Sequence, residues 1–110
     1  MKYACLVYLE QKDLHAVADG ECKAFGDGLR QDGYWLGGQA LQPVHAATTV
    51  RVRSGKLGVT DGPFAETKEQ LAGFYLIEAR DLNAAIQIAS KIPPARVGSV
   101  EVRPIRELSA

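Results

Sequence analysis

Nine consecutive residues, Asp61-Gly62-Pro63-Phe64-Ala65-Glu66-Thr67-Lys68-Glu69, set a turn, a rigid bend, an aromatic ring and four charges between two strand-like runs. A plain connection needs far less; a scaffold that aims polar groups into a cleft needs this much. Asp61 either caps the following turn with its carboxylate or acts as a general base, which requires a pKa raised by burial or by a like charge nearby. Gly62 permits positive φ and Pro63 fixes the exit direction. Phe64 either stacks on a flat ligand or pins the loop to the core. Glu66 and Glu69 share a face if the segment is helical, Glu66 and Lys68 if it is extended. The run is then either a solvated, salt-bridging surface or a polar cluster at the mouth of a cleft, with Lys68 orienting an anionic group.

Other residues belong with these. Arg51 shares a strand face with Thr49 and Arg53, within reach of Glu66, Glu69 or a ligand carboxylate; solubility of an edge strand is the alternative. His45, after Pro43, is placed to swing toward Asp61, and histidine titrates near neutrality; it can equally be an ordinary loop residue. Trp35 either packs or touches a flat ligand at a cleft rim. The expected catalytic residues are therefore Asp61, Glu66 and His45. The expected ligand-binding residues are Phe64, Lys68, Glu69, Arg51 and Trp35. Two histidines and two cysteines, scattered singly, make no metal site by spacing. No phosphate loop, dinucleotide fingerprint or nucleophile elbow is present, so no cofactor is expected.

The elements that must hold these groups follow from periodicity. Lys2 to Leu9 reads as a strand. Leu14, Ala18, Cys22, Phe25 and Leu29 form one helical stripe, with Asp13 as the expected cap and Gly33 as the stop. Tyr34 to Leu36 begins a short extended run that Gly37-Gly38 interrupts. Ala47 to Arg53 alternates, Ser54-Gly55-Lys56 turns, and Leu57 to Thr60 returns as a hairpin. Asp61-Gly62 before Pro63 reads as a strand exit. Leu71 to Ala79 is a nearly continuous apolar strand. Asp81 caps a second helix that Pro93-Pro94 stops, and Ser99 to Ile105 is the last strand. This order predicts an α+β, ferredoxin-like split βαβ plan with an added hairpin.

Two helices cover one face of such a sheet. Yet Tyr3, Cys5, Val7 and Leu9 alternate with Ala4, Leu6 and Tyr8, so both faces of the first strand are apolar. Leu71, Tyr75 and Ile77 alternate likewise with Ala72, Phe74 and Leu76. Strands apolar on both sides are normally buried on both sides. A second copy of the chain, in a two-fold homodimer, covers the free face economically. The alternative is that loop 37–46 and segment 61–70 fold over it.

The 110 residues predict one domain, 1–110. The acidic and basic residues, 13 each, cancel, which argues against nucleic acid or an anionic membrane as partner. Tyr3 to Leu9 is only a strand's length and lacks a cleavage signature, which predicts a cytoplasmic protein with free thiols at Cys5 and Cys22.

The run VTDGPFAETKEQLAGFYLIEA (Val59 to Ala79), with IPPARVGSVEVRP near the end and KYACLVYL at the start, resembles the DGPF branch of the YCII-related proteins across essentially the whole chain. That resemblance implies a dimeric α/β barrel of ferredoxin-like subunits. Most such proteins have no established reaction, although a relative in the wider superfamily removes chloride from a chlorinated hydroxyquinol with a His–Asp pair; the expected function is a cofactor-free enzyme doing acid–base chemistry on a small polar molecule. The alternative is a non-catalytic ligand- or protein-binding module associated with an extracytoplasmic-function sigma factor. Asp61 matches the aspartate of that pair, whereas Glu21, Cys22 and Lys23 stand where the other branch has its histidine.

Overall fold

The computed structural model describes residues 1–109. Along the chain run β1 (Lys2–Glu10), α1 (Asp19–Gln31), β2 (Trp35–Ala40), β3 (Thr48–Arg53), β4 (Lys56–Asp61), β5 (Glu69–Glu78), α2 (Leu82–Ala89) and β6 (Ser99–Pro104). Short 3-10 turns occur at Gln11–Asp13, Val44–Ala46 and Pro93–Arg96. Four strands form one sheet in the order β2-β5-β1-β6, with every neighbouring pair antiparallel. This α+β arrangement is compatible with a ferredoxin-like fold. β3 and β4 pair only with each other, as a separate hairpin between β2 and β5.

The alternation in β1 sorts its side chains as expected. Tyr3, Cys5, Val7 and Leu9 are buried, while Ala4, Leu6 and Tyr8 on the other face are half-buried. The first set joins Ile77, Leu29, Ala85, Ala89 and Ile92 in a core between the sheet and the helices. Each large apolar side chain buried there contributes about 1.5–3 kcal/mol. Between Val7 and Tyr8 the register with β5 shifts, so Ala72 is the extra residue of a bulge.

Helix α1 starts later than its apolar stripe. Ala18 is the N-cap, no side chain caps the helix, and Asp13 lies in the preceding 3-10 turn. Leu14 still packs against the core from outside the helix, so the stripe overran the helix start. In α2 the expected cap holds: the Asp81 carboxylate accepts a hydrogen bond from the Ala84 N–H at 2.8 Å. That helix ends at Ala89, before the prolines, and buried Pro93 and Pro94 open the last 3-10 turn instead. β2 is not interrupted at Gly37-Gly38 but runs through both to Ala40.

The body is a thin slab with a limb. Its extents are 46 × 42 × 19 Å, and its radius of gyration is 15.6 Å, where a compact chain of this length would have roughly 13 Å. The limb is the β3–β4 hairpin, turned by Ser54 and Gly55 with φ of 51° and 73°; that pairing matches the twist of the two strands. Residues 37–40 belong to β2 and so do not cover the free sheet face. Residues 62–64 are tied to the limb: Thr49 Oγ1 donates to the Gly62 carbonyl at 2.8 Å and the Arg51 guanidinium to the Phe64 carbonyl at 3.4 Å.

Candidate functional site

Between α1, β2, β5 and the loop after β2 lies a cleft of about 600 Å³, a size and setting usual for a small-molecule site. Its aromatic wall is built around Trp35. The Trp35 and Tyr75 rings meet edge to face with centroids 6.1 Å apart, and Phe25 meets Tyr75 in the same way at 5.5 Å. The Arg30 guanidinium lies 4.0 Å from the Trp35 ring centroid, a cation over the negative face of the indole. Two glycines make room for that ring. A Cβ at Gly26 would stand 3.3 Å from it, and one at Gly38 would stand 2.9 Å from both the ring and the Phe74 carbonyl.

The polar lining comes mostly from α1 and the turn before it: His15, Asp19, Cys22, Lys23 and Arg30. Arg30 also pairs with Asp27 at 2.9 Å. Glu21, beside Cys22, is held away by Arg96, which donates two hydrogen bonds to its carboxylate at 2.5 and 3.0 Å. Burial raises the Cys22 thiol pKa, with Asp19 and Glu21 adding to the rise and Arg96 opposing it. Burial, then the neighbouring Cys22, push the Tyr75 hydroxyl up to about 12. Both groups therefore stay protonated at neutral pH and act as donors, not as nucleophile or base. The cleft can hold a flat molecule against aromatic rings and meet an anionic group with Lys23 and Arg30.

Of the eight residues expected from sequence, Trp35 is the one that lines this cleft. Asp61 is exposed at the end of β4, and among the described residues its carboxylate accepts no hydrogen bond. Gly62 does take positive φ, 98°. His45 is exposed in its 3-10 turn and makes no hydrogen bond or ion pair with Asp61. Glu66 is exposed and unbonded among the described residues. Phe64 is 80% exposed, so it neither pins the loop nor stacks within its own chain. Lys68 pairs with Glu10 at 3.4 Å, and Glu69 accepts a hydrogen bond from Ser99 at 2.6 Å. Arg51 reaches the Phe64 carbonyl and not Glu66 or Glu69. Residues 62–68 form neither a helix nor a strand. Among the described residues no cluster of three or more metal-ligating side chains occurs, and no helix is long and apolar enough to cross a membrane.

Sequence reading missed Tyr75 and Arg30 as partners of Trp35. Tyr75 sits inside an apolar strand and Arg30 on an ordinary helix face; only the folded arrangement joins them.

A family model described as the YCII-related domain matches residues 1–109. An uncharacterized protein of Rhizobium meliloti (strain 1021) is 51% identical over 67 residues, which is 59% of this chain. The match spans 54% of that protein's length, about half of the curated relative.

Proposed function

Since this chain belongs to the YCII-related family, we propose that it is a homodimeric domain that binds a small, flat, anionic molecule in the cleft beneath α1. One observation carries this reading: an aromatic wall of Trp35 and Tyr75 bordered by the cations Lys23 and Arg30, in a cleft of about 600 Å³. Of the three α1 residues standing where the resemblance puts another branch's histidine, Cys22 and Lys23 line this cleft. The dimer is supported by the free sheet face, where Leu6, Tyr8, Phe74 and Leu76 are only half-buried while the helices pack on the opposite face. Proton transfer by Asp61 or Glu66 is not supported within one chain, because nothing described bonds to either carboxylate or buries it.

Thermal melting of the full chain with millimolar aromatic carboxylates, salicylate first, tests the binding. The expected results are a raised melting temperature, a smaller rise in Lys23→Ala, and protection of Cys22 from alkylation. No rise and no protection across the panel rejects the reading.

A further inference from the structure

The hairpin β3–β4 carries two faces of opposite character. Val50 pairs with Val59 and Val52 with Leu57 across the strands. These four side chains form one face and are 59–69% exposed. The other face carries Thr49, Arg51, Arg53, Lys56 and Thr60. An apolar face on a two-stranded hairpin is not stable by itself in water, and contiguous exposed apolar surface marks a contact site.

Area identifies the scale of what covers it. The chain exposes 7791 Å² for 11.9 kDa, where a compact monomer of that mass exposes roughly 6,000 Å², so ~1,800 Å² is in excess. Permanent homodimers bury on the order of 1,000–2,500 Å² per chain. The chain's own free sheet face, where Leu6, Tyr8, Phe74 and Leu76 are only half-buried, identifies a second copy as the occupant. From Thr48 to Asp61 the hairpin holds three basic residues, Arg51, Arg53 and Lys56, and one acidic residue, Asp61, and all three cations lie on the face opposite the valines. Strand register puts Lys2 and Arg103 on the free sheet face together with Glu10, Glu69, Glu78 and Glu101, around its apolar centre.

We propose that the β3–β4 hairpin is a dimer arm whose Val50–Val52–Leu57–Val59 face packs on a second copy of this chain, at the partner's free sheet face. This rests on the homodimer proposed above and adds to it the element that clasps. It also sends the Asp61–Phe64 bend, at the root of the arm, toward the subunit boundary. Phe64 then has a second chain to pack on, which its 80% exposure leaves open.

Sedimentation equilibrium of the full chain, with and without Val50→Ser/Val59→Ser, tests the arm. The expected result is a wild-type dimer whose dissociation constant rises at least about tenfold in the variant, with an unchanged far-UV circular dichroism spectrum. A dimer unaffected by the substitutions overturns the arm and leaves the homodimer standing. A wild-type chain that stays monomeric to ~100 µM, well above a micromolar-range dissociation constant, overturns both. If the variant does not fold, isotope-filtered NOEs on a mixed-label wild-type dimer decide: intermolecular contacts from the arm's valine methyls support the clasp, and their absence overturns it.

Discussion

Arg96 and Glu21, 75 residues apart in sequence, meet in a two-pronged ion pair with hydrogen bonds of 2.5 and 3.0 Å. The pair joins the last 3-10 turn to the first turn of α1, beside Cys22 at the cleft. It does for α1 what a missing N-cap side chain does not: it anchors the start of the helix.

That pair makes part of the stability depend on pH. Hydrogen bonding to Arg96 holds the Glu21 carboxyl below its ordinary 4.5. A depressed folded pKa contributes stability that is complete above the unfolded value and is lost as pH falls through the folded one. Glu21→Gln should therefore melt a few degrees below the wild type at pH 7, and the gap should close below about pH 4.5. A gap independent of pH between 7 and 3 would contradict the assignment.

Gly98 has no room for a side chain. A Cβ there would stand 2.1 Å from the Tyr8 carbonyl oxygen and 2.6 Å from Leu9. Because the nearer atom is backbone, relief requires β1 or the loop before β6 to move. Gly98→Ala should cost ~3 kcal/mol, measured as a lower midpoint in urea with an unchanged slope.

The two thiols should separate by reactivity. Burial pushes Cys5 up to about 11, and the residue has no exposed surface. Cys22 is only partly covered. With Ellman's reagent at pH 8 the native protein should release one slow equivalent, and the unfolded protein two. Two fast equivalents from the folded chain would count against the described burial.

Asp61→Asn and Glu66→Gln should leave the stability of the single chain within about 0.5 kcal/mol of the wild type, since both carboxylates are exposed and unbonded. Urea titration of each variant checks this. A larger loss would mean that one of them is held by a contact absent from the single chain.

Much of this fold was legible because its signals are local. The two-sided alternation of β1, the Asp81 cap and the Ser54-Gly55 turn each depend on neighbours a few residues away. The start of α1 was not: Leu14 sits at the right spacing for a helix, yet packs on the core from a preceding turn. The continuation of β2 through Gly37-Gly38 was hidden for a related reason. Glycine usually weakens a strand, but Gly38 is there because Trp35 and the Phe74 carbonyl leave no space for more. The cleft was least legible, since α1, β2, β5 and a loop each supply part of it. Trp35 both packs against the core and lines the cleft, the two alternatives its large aromatic ring offered from sequence.

The hairpin occupies the single connection that joins β2 to β5. Its strands add no hydrogen bond to the four-stranded sheet, so its length and sequence can change without shifting any register there. If the hairpin is the proposed dimer arm, subunit recognition can thus diversify in this piece alone, as an exchangeable module, while the hydrophobic interior and the aromatic cleft beneath α1 are inherited unaltered.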